Sequence, residues 1–159
     1  MKRTLPKPRD DDDRKVLHDV AESGSHIVGV LADETGPAFA YSIGLFHNYG
    51  HAEILVFGLE HVLMQNLING MRDDIQRGGR FLPGSRYSYI VANFDCEFRT
   101  VHPSHYHALL GYAEWFYPDA NFPVVQCIWP DKGGHFPWQP DFNSKFLHLQ
   151  PTHERIAES

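Results

Sequence analysis

Ionisable groups and large aromatic rings share one short segment, residues 126–138, with the sequence QCIWPDKGGHFPW. An apolar start leads into a stretch that combines two Trp, two Pro and two Gly with an Asp, a Lys and a His. Pro and Gly restrict the backbone, and the rings supply area to bury. The pattern therefore predicts a strand followed by a loop of fixed shape that could form one wall of a site.

A second group of polar side chains lies within residues 41–53, where an apolar strand leads into the sequence HNYGH. The group contains a phenol, an amide, two imidazoles and a carboxylate, all of which can bind the polar atoms of a ligand. If both segments lie at the same end of a sheet, they enclose a polar pocket framed by two indoles. The predicted ligand-binding residues are Tyr41, His47, Asn48, His51, Glu53, Trp129, Asp131, Lys132, His135 and Trp138.

An architectural role is the alternative for the same residues. In that interpretation, Trp129 and Trp138 plug the open end of the core, and Asp131 caps a turn. Gly44 and Gly58 end apolar strands, where the backbone can approach either a ligand or another strand closely.

Acid–base catalysis by a hydrolase is a further alternative. It would use His51, Glu53, Asp131 or His135, and it requires one of them to lie in a cleft within hydrogen-bond reach of a partner. The sequence itself marks no catalytic residue. No Gly-x-Ser-x-Gly elbow occurs, and both cysteines fall within strand patterns typical of small buried residues.

Metal and cofactor motifs do not stand out despite the eleven histidines. The histidine spacings match no zinc site, and His-Glu-x-x-His is absent, so no metal ligand is predicted. The glycine pairs lack the frame of a dinucleotide-binding loop, and no Walker-type lysine loop occurs. The cofactor, if there is one, stays unknown.

Composition narrows the class of protein. The chain has 159 residues, 42% of them hydrophobic and 21% charged, as expected for one globular domain. A net charge of −6 without a basic run argues against nucleic acid as a partner. No apolar run approaches the ~20 residues of a membrane span, and no secretory signal is recognised, so we expect no membrane and a cytoplasmic location. Two cysteines, which need not pair, fit a reducing compartment.

The elements alternate in an order typical of an α+β fold. We predict a largely antiparallel curved sheet, or a half-open barrel, of about six strands with three helices. Residues 1–9 are expected to be disordered, residues 10–142 to form the single domain and residues 143–159 to be a C-terminal surface tail. The predicted elements are a helix from Asp10 to Gly24, strands at 26–32, 37–45 and 53–59, a helix from Glu60 to Arg77, a hairpin at 86–94 and 96–102, a helix between Pro103 and Pro118, and a strand at 124–129.

Three segments together resemble a known family. The sequences YSIGL at 41–45, HAEILVFGL at 51–59 and the 126–138 segment are similar to the bacterial family called domain of unknown function 4262. The resemblance covers residues 14–142 and implies a bacterial setting, but it supplies no activity. The leading hypothesis is a cytoplasmic small-molecule-binding module. A protein-interaction or inhibitor module would instead show an exposed apolar patch and no concave site, and pairing of edge strands would allow a homodimer.

Overall fold

A computed structural model describes residues 4–91, 94–119 and 121–158. The strands are β1 (His26–Val30), β2 (Phe39–Ile43), β3 (Glu53–Phe57), β4 (Arg86–Val91), β5 (Phe94–Thr100) and β6 (Val124–Ile128). The α-helices are α1 (Asp11–Ser23), α2 (Leu45–Tyr49), α3 (His61–Gln76), α4 (Tyr106–Leu109) and α5 (Gly111–Phe116), and Pro103–His105 and Ser144–Leu149 form 3-10 helices. Within these ranges, no helix is both long and apolar enough to cross a bilayer.

One six-stranded sheet organises the domain, with the strand order β1-β2-β3-β6-β5-β4. Neighbouring strands pair antiparallel except β3 and β6, which pair parallel with Glu53 opposite Val124. The sheet is therefore mixed and is not closed into a barrel. The predicted α+β class and the six strands are confirmed.

The first helix begins and ends as its sequence predicts. The Asp10 side chain accepts a hydrogen bond of 2.9 Å from the backbone N–H of Asp13, which caps the start of α1. Gly24, with φ of 95°, ends the helix in the left-handed conformation that glycine tolerates best. Asp13 itself is buried and binds Arg9 and Tyr112 through its carboxylate.

Two apolar layers cover the two faces of the sheet. One face of β2 contributes Phe39, Tyr41 and Ile43 to a cluster with α1 and α5, as the alternation in the sequence predicts. The opposite face packs against α3, whose buried residues recur at helical spacing. These α3 residues are Met64, Leu67, Ile68, Met71 and Ile75.

The structure corrects three local predictions. The segment 47–51, where no helix is predicted, lies mostly in α2, because Gly44 and Gly50, both in the left-handed conformation, flank a single short helix. The helix after Pro103 is divided into a 3-10 turn, α4 and α5. The C-terminal segment, predicted as a surface tail without a helix, contains the 3-10 helix Ser144–Leu149. The predicted hairpin turn at 93–95 lies partly outside the described residues, since 92 and 93 are not described.

Candidate functional site

A buried carboxylate holds the connection between β2 and β3. Glu53, at the first position of β3, is 1% exposed and accepts five hydrogen bonds. The Ser42 hydroxyl donates at 2.7 Å, and the Tyr117 hydroxyl donates to the other oxygen. The remaining donors are the backbone N–H groups of Gly44, Leu45 and Phe46, at 3.0, 3.2 and 3.2 Å.

The five donors define the role of Glu53. Burial raises the pKa of Glu53, while the hydrogen bonds from Tyr117, Ser42 and the backbone oppose that rise. Burial and the adjacent Glu53 carboxylate raise the pKa of Tyr117, so its hydroxyl stays protonated and donates. Glu53 is almost fully buried, and in this geometry its carboxylate holds residues 42–46 and Tyr117 at the start of β3.

His51 is held in one tautomer by two backbone groups. Its Nε2 atom accepts the N–H of Phe81 at 2.9 Å, so Nδ1 carries the proton and donates to the Ala52 carbonyl at 2.7 Å. Burial lowers the pKa of His51, and the positive charge of Arg80 lowers it further. The imidazole is therefore neutral near pH 7, and it joins the α2–β3 turn to the segment that follows α3.

A cavity of about 530 Å³ opens beside His51. We call it the Arg80 pocket. Five segments meet there: the α2–β3 turn, the loop after α3, the end of β5, the region from Pro103 to Tyr106 and the start of β6. Its lining residues are Gly50, His51, Ala52, Arg80, Phe81, Leu82, Pro83, Thr100, Val101, Pro103, Tyr106, Asn121, Phe122, Pro123, Val124 and Val125.

The described walls of the Arg80 pocket carry a positive charge, on Arg80, and no negative charge. The described lining residues include no Asp or Glu. Arg80 donates to two backbone carbonyls, those of Gly79 at 2.8 Å and Tyr49 at 3.5 Å. Among the described residues it forms no ion pair, in contrast to Arg72, which binds the carboxylate of Asp73. An exposed guanidinium without a counter-charge thus stands at the mouth of an apolar hollow.

The 129–138 loop is organised around Asp131. Its Oδ1 atom accepts the N–H groups of Gly133 and His135 at 3.0 and 2.9 Å, and Oδ2 accepts the N–H of Asn143 at 2.8 Å. Burial disfavours the charged form, but these backbone donors outweigh it and lower the pKa of Asp131. His135 Nδ1 lies 3.3 Å from the same carboxylate, and Lys132 is exposed.

The two indoles of this loop occupy different environments. Trp129 is 8% exposed, and its Nε1–H donates to the carbonyl of Phe57 at 2.8 Å. The amide of Gln150 pairs with both backbone groups of Trp129 at 2.8 Å. Trp138 is 40% exposed and stacks on Phe136 with ring centroids 5.2 Å apart. Arg99 covers the Trp138 ring at 4.0 Å, an arrangement that favours a cation–π contact.

The two predicted halves of the site do not meet. Glu53 begins β3 and Trp129 follows β6, and the two strands run parallel in register. The 41–53 group therefore lies at one end of the sheet and the 129–138 loop at the other, about five strand residues or ~17 Å away. The prediction that the two segments enclose a common pocket is therefore wrong. The reason is the parallel pairing of β3 and β6, which no local sequence pattern reveals.

The remaining predicted ligand-binding residues have structural contacts. Tyr41 is 2% exposed in the core. The Asn48 amide donates to the carbonyls of Val20 and Gly24, both at 2.9 Å, and so ties α2 to the end of α1. The His47 ring meets Phe116 edge-on, at a centroid distance of 5.8 Å. Of the ten predicted residues, His51 alone lies in the wall of the Arg80 pocket.

Most of the chain is similar to one known protein family. Residues 19–143 match the model of the family described as Domain of unknown function (DUF4262). The chain belongs to this family. The matched span of the DUF4262 domain runs from within α1 to the residue that precedes the second 3-10 helix. A search of curated proteins finds no match to the chain. A search of solved structures also finds none.

Most walls of the Arg80 pocket of this DUF4262 domain carry no signal in the sequence. Arg80, Phe81, Tyr106 and Phe122 come from segments that lack any motif, and they meet only through the sheet. Arg80 follows Gly78-Gly79, a pair that signals the end of a helix and not a site. In the described part of the DUF4262 domain, no group of three or more His, Cys, Asp or Glu side chains is arranged to hold a metal ion.

Proposed function

We propose that this DUF4262 domain binds a small molecule in the Arg80 pocket, and that the ligand joins an apolar body to an acidic group such as a carboxylate. The size of the cavity supports the first half of this proposal. At about 530 Å³ it falls within the ~300–1,000 Å³ range of small-molecule sites. Its walls are largely aromatic, aliphatic or proline side chains, including Phe81, Val101 and Phe122.

The main support for the proposal is that Arg80 has unused donors and no acidic partner among the described residues. A guanidinium has five N–H donors, and here two carbonyls occupy only part of that capacity. With no acidic residue among the described pocket walls, a ligand carboxylate would supply the missing counter-charge in the bidentate geometry that arginine favours. Asn121 and Thr100, which are both exposed, can add hydrogen bonds at the mouth.

The rest of the site supports binding without rearrangement. His51 is locked between Ala52 and Phe81, and Glu53 fixes the turn that carries His51. A preformed cavity loses little conformational entropy when a ligand enters. Both cysteines are free and buried, which fits the reducing interior of a cell, and we propose that the domain acts in the cytoplasm on this basis.

A matched pair of probes tests the acidic group. We would measure binding of decanoate and of decanol by calorimetry and by thermal shift. Decanoate should bind saturably and raise the melting temperature, since a ligand selective for the native state stabilises it. In Arg80→Gln, decanoate should lose about tenfold or more in affinity while decanol binding stays the same. Arg77→Gln is the control, since Arg77 is exposed at the same end of α3 and pairs with Asp74.

A steric variant tests the location. Thr100→Trp places a large ring in the mouth of the pocket and should abolish binding of both probes. Ser88→Trp, at an exposed position of the neighbouring strand, should leave binding unchanged. Equal affinities of Arg80→Gln and Arg77→Gln for decanoate would disprove the role of Arg80, and full binding by Thr100→Trp would disprove the location.

A further inference from the structure

A second cavity, distinct from the Arg80 pocket, lies between α1, the start of β1 and α3. It measures about 250 Å³, and its walls are almost entirely polar. Helical spacing explains the composition of these walls. Lys15, Asp19 and Ser23 follow one face of α1 at intervals of four residues. Gln65, Asn69 and Arg72 do the same on α3 at intervals of four and three. Ser25 and His26 complete the cavity from the chain that enters β1.

A buried hydroxyl in this wall lacks a partner. Ser25 is 4% exposed, and its Oγ atom forms no hydrogen bond with any described residue. Buried polar side-chain atoms are satisfied in the large majority of cases, so each exception calls for an explanation. No other buried side-chain nitrogen or oxygen in the described part of the chain has this status.

The charged groups around Ser25 have unused donors. Lys15 Nζ and His26 Nδ1 both contact Asp19 Oδ2, at 3.3 and 2.8 Å. The Lys15 ammonium has three N–H groups, so two are left after this contact. Arg72 uses three of its five N–H groups, two toward Asp73 Oδ1 and one toward Asn69 Oδ1 at 3.1 Å. Asp19 is the one carboxylate among the described walls, and it is already shared by two donors.

This donor surplus determines the ligand chemistry. A molecule that fits must bring acceptors to an ammonium, a guanidinium and a hydroxyl that approach from three different elements. A tetrahedral oxyanion does so, because its oxygens point in separate directions and attract charge-assisted donors. The cavity equals about eight waters of liquid volume, so a small polar group attached to the anion also fits. A divalent cation would meet mainly donors and a single carboxylate.

We propose that the α1–β1–α3 cavity is a binding site for a phosphate-type oxyanion, either inorganic phosphate or a small phosphate monoester. Lys15, which also pairs with Asp19, and Arg72, which also pairs with Asp73, offer their remaining N–H donors. The Ser25 hydroxyl donates to one anion oxygen. The site is distinct from the Arg80 pocket, since the two share no lining residue.

Titration of the whole chain with inorganic phosphate and with glycerol 3-phosphate tests this proposal, with sodium chloride at equal ionic strength as the reference. Amide NMR shifts should change saturably at Ser25, His26 and Arg72. Arg72→Gln should weaken phosphate binding about tenfold or more, and Ser25→Ala should weaken it by a smaller factor. Arg77→Gln, at the residue that caps the end of α3, should bind phosphate as the unmodified chain does.

Each alternative result has a defined meaning. Lys15→Gln, at a 69% exposed side chain, replaces Arg72→Gln if the latter fails to fold, and it too should weaken binding. Shifts that do not saturate, or that appear equally with sodium chloride, would overturn the proposal. Equal phosphate affinities of Arg72→Gln and Arg77→Gln would overturn it as well. Tighter binding of glycerol 3-phosphate than of inorganic phosphate would identify a monoester as the ligand.

Discussion

Glu53→Gln is the substitution that most directly tests how the wall of the Arg80 pocket is held. The change keeps the size of the side chain but turns one acceptor oxygen into an NH₂ donor. The less costly orientation places this NH₂ where Ser42 and Leu45 now donate. The Ser42 hydroxyl can rotate and accept. The backbone N–H of Leu45 cannot, and it is left buried without an acceptor.

The expected loss in the free energy of unfolding of Glu53→Gln follows from these contacts. An orphaned buried N–H costs about 1–3 kcal/mol. The three hydrogen bonds to the other oxygen lose charge assistance, about 1 kcal/mol each, and relief of the carboxylate's desolvation offsets part of that loss. We therefore expect the free energy of unfolding to fall by about 2–4 kcal/mol.

Urea unfolding of three proteins measures this effect. Glu60→Gln is the matched control, because Glu60 is exposed and its side chain makes no capping hydrogen bond. It should stay within about 0.5 kcal/mol of the unmodified chain. If Glu53→Gln unfolds within the same 0.5 kcal/mol, the five donors do not depend on the carboxylate and the reasoning is refuted.

Three further predictions concern other contacts. Trp129→Phe removes the donor to the Phe57 carbonyl and should cost roughly 1–3 kcal/mol in urea unfolding, whereas Trp138→Phe should change stability by less than about 0.5 kcal/mol; equal costs would contradict the different burial of the two rings. Hydrogen bonds from Arg9 lower the pKa of Asp13. The free energy of unfolding lost in Asp13→Asn should therefore be largest near pH 7 and should shrink as the pH falls below 4. A loss that does not depend on pH would contradict this. Burial lowers the pKa of His153 to about 4, so between pH 6.5 and 4 the unfolded chain binds a proton that the folded chain does not. As the pH falls through this range, the free energy of unfolding should therefore decrease by more in the unmodified chain than in His153→Gln. Parallel pH profiles of the two proteins would contradict this.

Local signals in the sequence were sufficient for most elements. The Asp10 cap and Gly24 define α1. The helical spacing of apolar residues from Met64 to Ile75 defines α3, whose ends lie within one residue of the predicted Glu60 and Arg77. These features depend on neighbours along the chain, which composition and spacing report directly. Helix α2 was missed because five residues between two glycines are too few to show a period.

The arrangement of the site depends on distant pairings instead. Parallel pairing of β3 with β6 separates the 41–53 group from the 129–138 loop, and nothing within either segment reveals that direction. Gly44 and Gly58, where the backbone was expected to approach either a ligand or another strand, both approach the protein itself. An added Cβ at Gly44 would lie 2.8 Å from Val20, and one at Gly58 would lie 2.2 Å from the Leu149 carbonyl oxygen. Asp131 caps its turn as the architectural interpretation predicts, because its spacing to Gly133 is local.

A crystal structure of the unmodified chain with decanoate tests the central claim most directly. We expect the carboxylate within hydrogen-bond distance of the Arg80 guanidinium and the hydrocarbon chain against Phe81 and Phe122. Decanoate bound elsewhere, or bound in the pocket with its carboxylate turned away from Arg80, would contradict it.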